Sequence, residues 1–344
     1  MNLNLKTFNI LYFLFISTFF PQTQNNRISG KVIDSNTGTP LPNANVFISG
    51  SVWGTSTNMD GYFSIQNLPS GNHQIAVSFI GYETTFQNVT LTGKDHVELN
   101  FYLIEKLIQL NEVAVDAEVP KDWYENLEVF KMYFFGQSGF AEYCVIENET
   151  IIDFVKGENI LSASADDQLI IINNALGYRI DCNLISFDYD YEFNSIRYFT
   201  VTKFTELLPE SDNQKKEWIE NREAAYLGSI KHFLVSLIRN DINGNRFKMF
   251  SWYGSYGQEI KDVRKLLAKD SLSNQYILKF DYDLVVQYKP GVFSNTQVSG
   301  ISLLVDYVTL DEFGEPKETL PFFFKQHWAT KGIADLLPKD YSNR

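Results

Sequence analysis

RISGKVIDSNTGTPLPNANVFI, residues Arg27 to Ile48, opens a stretch that continues to Leu103 and decides how the chain folds. Seven short segments rich in β-branched and aromatic residues follow one another there: Ile28 to Ile33, Ala44 to Ile48, Gly54 to Thr57, Tyr62 to Ile65, His73 to Phe79, Thr84 to Val89 and Val97 to Leu103. Turn chemistry separates them. Asp60-Gly61 supplies the positive φ angles of a tight hairpin, and Asn36, Gly38, Pro40 and Pro42 break pairing across a longer loop. Leu68-Pro69-Ser70-Gly71 does the same before the next segment. In HQIAVSFIGY, Ile75, Val77 and Phe79 alternate with Gln74, Ala76 and Ser78, so one face is expected in a core and the other polar or small. This rhythm predicts a seven-stranded β-sandwich, and about 80 residues suffice for an autonomous core.

The order GKVID (Gly30 to Asp34), PLPNANV (Pro40 to Val46), GTSTNMDGYF (Gly54 to Phe63), LPSG (Leu68 to Gly71) and FIGY (Phe79 to Tyr82) resembles the carboxypeptidase-regulatory-like domain. The resemblance covers roughly a quarter of the chain, and it is the combined pattern that is specific. It implies a transthyretin-like sandwich of the kind placed at the N-terminus of TonB-dependent outer-membrane transporters and other envelope proteins. The family is an accessory module without catalytic residues, so the resemblance implies location and assembly rather than chemistry.

The length of 344 residues predicts about two domains, and 44% hydrophobic with 21% charged residues is the composition of a folded protein. Residues 1–24 carry Lys6, an apolar run from Ile10 to Phe20 and a polar exit, which reads as a secretory signal peptide, with an uncleaved anchor as the alternative. The sandwich is placed at 25–105, a linker at 106–120 and an α+β domain at 121–344. The linker's Leu110 to Val115 resembles the segment that leads into the plug of such transporters. Because a transporter barrel needs about 22 strands of about ten residues each, the chain is not expected to be the transporter itself.

A net charge of −13 with no Lys/Arg cluster argues against nucleic acid as a partner. Cys144 and Cys182 fit either a disulfide or two buried thiols.

In 121–344, strands are expected at Tyr143 to Asn148, Gln168 to Asn173, Tyr178 to Asp188, Ser195 to Phe204, Tyr276 to Tyr288 and Val298 to Leu310. One long amphipathic helix is expected over Asn213 to Arg239. Trp218, Arg222, Tyr226, Ser229, Phe233 and Leu237 recur there at steps of three and four, and Ser211 or Asp212 is placed to cap it. Gly228 predicts a bend or a close contact. This pattern of Trp, Arg, YLGSIKHFL and SL resembles uncharacterised envelope proteins that join it to the same kind of sandwich, and that resemblance implies no activity.

Catalytic signatures are missing. His73, His96, His232 and His327 are followed three residues later by Ala76, Leu99, Val235 and Thr330, so the HxxE of a zinc carboxypeptidase is absent and no metal or cofactor is expected. Neither Gly136-Gln137-Ser138-Gly139 nor Gly254-Ser255-Tyr256-Gly257 has the spacing of a nucleophile elbow. Asp188, Asp190 and Glu192 alternate with aromatics and would share a strand face, read as the solvated side of an edge strand or as carboxylates that could bind Ca²⁺. Asp241 to Asn245 reads as a helix C-terminal loop. Arg222, Ser229 and His232 are the candidate binding residues. Ser229 and His232, three apart, define the rival hydrolase reading, in which a hydroxyl meets an imidazole; the structural alternative has them serving packing and buried carbonyls. The leading expectation is a non-catalytic envelope protein, periplasmic or outer-membrane associated, that binds or scaffolds a protein partner or a glycan. Glycan contact through Trp252, Tyr253 and Trp328 is a further alternative.

Overall fold

A computed structural model of the chain describes residues 26–106, 121–253, 256–270, 275–291 and 293–341. The expected signal segment and nearly all of the expected linker lie outside these residues.

The N-terminal part is a sandwich of two four-stranded sheets. Asn26–Asp34 lies between Tyr62–Leu68 on one side and His96–Glu98 with Phe101–Leu103 on the other. The facing sheet runs Gly54–Ser56, Asn45–Ile48, Gly71–Ser78, Thr85–Leu91. Ile28, Val32, Ile65, Ile75, Val77 and Phe101 fill the space between them, each contributing about 1.5–3 kcal/mol by leaving water. Eight strands form where seven were expected, because the last predicted strand divides. Leu99 donates its N–H to the Ser29 carbonyl, and the Asn100 side chain accepts from Lys31 N–H, so a side chain interrupts the backbone ladder.

The outer face of Gly71–Ser78 departs from its alternation. Ala76 is as buried as Ile75 and Val77. It packs with Phe47 against Val201, and Phe86 meets Phe199 edge-on at 5.5 Å. Alternation identifies which residues share a face; it does not reveal that a second layer covers the face opposite the core.

That layer is a six-stranded antiparallel sheet ordered Ile152–Lys156, Ile160–Ala165, Tyr178–Asp190, Leu169–Asn173, Cys144–Ile146, with Ser195–Glu206 along the other side of Tyr178–Asp190. Helix α1, Lys121–Phe135, covers it. Leu127, Phe130 and Phe134 recur at steps of three and four and are buried against Phe187. The rest of the chain builds a second core around a five-stranded sheet, Tyr256–Glu259, Phe247–Tyr253, Asp283–Tyr288, Gln297–Leu303, Phe322–Gln326. A three-stranded sheet of Leu267–Lys269, Tyr276–Leu278 and Val308–Leu310 adjoins it.

The single long helix is corrected to two: α2, Asp212–Tyr226, and α3, Ile230–Ile238. Gly228 sits between them at φ +81°, a left-handed conformation that no α-helix continues through. Ser229 then starts α3 as its N-cap, its hydroxyl accepting from the His232 backbone N–H. Ser211 caps α2 as expected, accepting from Gln214 N–H. Among the described residues no helix is long and apolar enough to cross a membrane, which says nothing of strands.

Candidate functional site

The break at Gly228 separates the residues that a continuous helix would have aligned. Arg222 stays on α2, where its guanidinium donates to the carbonyls of Leu176 (2.7 Å) and Gly177 (3.2 Å), pairs with Glu206 (3.2 Å) and lies 4.0 Å over the Tyr178 ring. It ties α2 to the turn between two strands of the six-stranded sheet. Ser229 and His232 are on α3 and do not meet as nucleophile and base. The Ser229 hydroxyl is spent on the cap. His232 Nδ1 accepts from the Gly228 N–H at 3.0 Å, so Nε2 carries the proton and donates to Asn245 Oδ1 at 3.2 Å. Asn245 in turn donates to Asp241, whose carboxylate also accepts from Gly244 N–H. The imidazole links the helix break to the loop that ends α3, and burial pushes its pKa below the ordinary value, partly offset by Asn245.

The other sequence candidates also have fixed places in the fold. Strand Tyr178–Asp190 is paired on both sides, so it is not an edge. Asp188 accepts from Ser162 Oγ at 2.7 Å, and Asp190 accepts from the N–H groups of Glu192 and Phe193 in the turn that follows. Among the described residues no group of three or more His, Cys, Asp or Glu side chains is placed to hold a metal ion. Cys144 and Cys182 are free and buried; burial pushes the Cys144 thiol up to about 12 and raises Cys182 as well. Trp328 is buried, not exposed as the glycan alternative required, and its indole N–H donates to the Gly228 carbonyl. The side chains of Trp252 and Tyr253 lie outside those described.

A different group of residues surrounds a cavity of about 310 Å³ where the sandwich meets the helix pair. Trp53, Pro69, Ser70, Asn72 and His73 come from the sandwich, Tyr226, Lys231 and Arg239 from α2, α3 and the end of α3, Asp311, Phe313 and Glu315 from a turn, and Lys339 to Tyr341 from the C-terminal tail. Backbone geometry holds these walls together. Gly71, at φ +134°, lets Asp311 come so near that a Cβ there would stand 2.4 Å from its carboxylate. Asp311 then accepts from the N–H groups of Asn72 (2.7 Å), Phe313 (2.9 Å) and Glu315 (2.9 Å). Burial raises its pKa against these three donors. Glu315 lies between Lys231 (3.3 Å) and Lys339 (3.4 Å), and Lys231 also donates to the Lys339 carbonyl at 2.6 Å. Burial alone would push the Glu315 carboxyl up, but Lys339 and Lys231 outweigh it and hold it below the ordinary glutamate value.

His73 is the group left incomplete. The residue is 6% exposed and its ring is edge-on to Trp53, with centroids 6.4 Å apart. The Pro69 carbonyl, 2.9 Å from Nε2, can only accept, so Nε2 carries the proton and Nδ1 presents a lone pair. Among the described residues that Nδ1 has no hydrogen-bond partner. Burial pushes the His73 pKa down, which keeps this neutral form. Nδ1 is closed off from solvent and cavity alike, so this unmatched acceptor is a free-energy cost built into the wall. Reading the sequence alone missed this site because its walls come from segments more than two hundred residues apart. The one local signal was Asp311-Glu312-Phe313-Gly314, a turn signature whose Asp side chain caps its own loop.

With this geometry in place, comparison with known proteins defines the N-terminal part. A family model described as CarboxypepD_reg-like domain matches residues 28–115. The sandwich is thus a carboxypeptidase-regulatory-like domain, as its motifs implied. TonB-dependent receptors P39 and P3 of Formosa agariphila are 33% and 29% identical to this chain over 114 residues. The two matches cover 32% and 33% of this chain and 10% and 11% of the receptors, so the chain spans about a tenth of their length. Among solved structures, a putative carbohydrate binding protein from Bacteroides uniformis aligns with 83% of this chain and 98% of its own at 7% identity and a TM-score of 0.20. The pilus 2b backbone protein of group B streptococcus aligns with 24% of this chain and 41% of its own at 17% identity and a TM-score of 0.21. Scores this low carry no argument about the C-terminal region.

Proposed function

We propose that the chain is a non-catalytic protein of the cell envelope, exported to the periplasm or associated with the outer membrane, that binds a partner. In this reading the cavity between the sandwich and the helix pair is its ligand site. The observation that carries it is the cavity itself, whose walls come from the sandwich, the helix pair, a turn and the C-terminal tail and set the rings of Trp53, Tyr226, Phe313 and Tyr341 beside ionic groups mostly committed to fixed partners. The carboxypeptidase-regulatory-like domain and the apolar leader expected before it support the envelope assignment. The bonds that Ser229 and His232 make to backbone and to Asn245 support a structural role for them over the hydrolase alternative.

The test exposes the full chain to panels of ester, peptide, glycoside and small polar compounds. Turnover is followed together with the NMR signals of His73 and Tyr226. Binding that moves those signals without turnover is expected. Reproducible turnover that disappears in Ser229→Ala or His232→Ala overturns the non-catalytic assignment, and a panel that moves neither signal overturns the ligand site.

A further inference from the structure

The ionic groups that line the cavity are balanced in number and unequal in availability. Asp311 accepts from three backbone N–H groups, Glu315 takes the ammonium groups of Lys231 and Lys339, and Asp340 accepts from the Val52 N–H. Burial also pushes the pKa values of Asp311 and Asp340 up, which favours their uncharged forms. The negative side of the lining is therefore committed to the protein's own donors. On the positive side Arg239 differs: it is exposed at the end of α3, and its guanidinium makes no hydrogen bond or ion pair among the described residues. Its charge still reaches the Tyr226 phenol, where it works against the rise in pKa that burial causes. Lys339 adds to this side, since Glu315 is its one ion-pair partner among the described residues and an ammonium group has further protons to donate.

That asymmetry selects the sign of a ligand. A cation entering the cavity meets carboxylates whose oxygens already accept hydrogen bonds, and Arg239 repels it. A neutral polar molecule leaves the guanidinium as it was. An anion gains a partner at the mouth of a cavity whose rings displace part of the water. The planar fork of Arg239 matches a carboxylate. With one unmatched cation on the lining, a single negative charge is neutralised and a second would stay unpaired. The remaining walls set the body of the ligand. Trp53, Tyr226, Phe313 and Tyr341 offer ring surface, and the Trp53 indole N–H and the Tyr226 hydroxyl make no hydrogen bond among the described residues. A volume of about 310 Å³ is at the small end of ligand pockets, which excludes an extended chain.

Building on the ligand-site reading, we infer that the cavity takes a small monocarboxylate with an apolar body, its carboxylate paired by Arg239 at the rim and its body against the rings of Trp53 and Tyr226. The Tyr226 hydroxyl, within reach of the Arg239 charge, donates to the same carboxylate. Because Trp53 belongs to the sandwich and Arg239 ends α3, the ligand bridges two parts of the fold.

The test titrates benzoate and cyclohexanecarboxylate into the full chain and follows the NMR signals of the Trp53 indole and of Tyr226, with benzamide, benzylamine, acetate and inorganic phosphate as controls. At least one of the two carboxylates is expected to bind, to move both signals and to bind more weakly as salt is added. Arg239→Gln should weaken that binding by about tenfold, and Arg239→Lys, which keeps the charge and loses the fork, by less. Both variants should melt like the wild type, because the guanidinium has no partner in the fold to lose. A lower melting temperature in Arg239→Gln would show that it has one and overturns the assignment. If benzamide or benzylamine moves the two signals as strongly as the carboxylates, the anion assignment is overturned while the ligand site stands. Acetate or phosphate binding as tightly as benzoate overturns the apolar body in the same way. Carboxylate binding that Arg239→Gln leaves unchanged places the anion elsewhere and also overturns the assignment. If no compound moves either signal, the assignment and the ligand site are both overturned.

Discussion

Trp328 donates its indole N–H to the carbonyl of Gly228 at 2.8 Å, joining residues a hundred positions apart at the break between α2 and α3. The same glycine gives its N–H to His232 Nδ1. Both polar groups of a left-handed residue inside the fold are therefore satisfied by side chains, which is how the chain tolerates a break buried away from water.

Gly228→Ala tests the backbone part of this arrangement. A Cβ would stand 2.6 Å from the Tyr288 ring and 2.7 Å from Gln297 Oε1, at a φ of +81° that disfavours any side chain. A loss of about 2 kcal/mol or more in urea unfolding is expected from combined strain and crowding. Ser229→Ala, which removes the cap alone, should lose about 1 kcal/mol. Equal losses in the two variants would contradict the special role of position 228.

His232→Ala tests the side-chain part. Its removal leaves the Gly228 N–H and the Asn245 Oδ1 without partners in a ring cluster that includes Phe247, 4.9 Å away. A loss of about 1 to 3 kcal/mol is expected, with the activity or binding of the folded variant unchanged. A variant that melts like the wild type and yet loses a measured binding would make His232 a functional residue.

The sandwich was legible in the sequence because its signals are local: alternation inside each strand and turn residues between strands. Strands such as Leu169–Asn173 and Ser195–Glu206 were legible for the same reason. Helix α1 and strands Ile152–Lys156 and Ile160–Ala165 were not. FKMYFF at the end of α1 is apolar on most sides, and SASA in the second strand is small and polar, so neither shows a clear period. The step of three and four across Asn213 to Arg239 predicted helix correctly on both sides of Gly228. It overran the glycine because periodicity continues in sequence even where the backbone changes hand. The cavity depends on His73, Lys231, Glu315 and Lys339, which only tertiary structure brings together.

The sandwich has its own core, so residues 26–106 expressed alone are expected to give a dispersed amide spectrum. Phe47 and Ala76 lose their cover from Val201 in that fragment, and Gly50 loses the Thr202 carbonyl. The fragment should bind an apolar dye that the whole chain does not, and Phe47→Ser should suppress that binding. A collapsed spectrum would mean that the second layer is required for the sandwich to fold.

Glu315 gives the clearest pH dependence. Its side chain is 18% exposed and lies between two ammonium groups that hold its pKa below the ordinary glutamate value. A carboxyl with a depressed folded pKa contributes stability that is present above the unfolded value of about 4.3 and is lost as pH falls through the folded value. Asp311, raised by burial and further by the neighbouring Glu315 carboxylate, acts in the opposite sense over the acid range; Glu315→Gln removes that repulsion, which narrows the gap between the two proteins without reversing it. Glu315→Gln keeps the shape and leaves Lys231 and Lys339 facing each other without a counter-charge. The variant should be about 2 kcal/mol less stable at pH 7, an estimate between an exposed and a fully buried pair. That gap should hold down to about pH 5 and close below pH 4 as the wild-type carboxyl takes up its proton. Thermal unfolding of both proteins from pH 7 to pH 3 measures it. A gap independent of pH would show that packing rather than charge holds the C-terminal tail against the cavity.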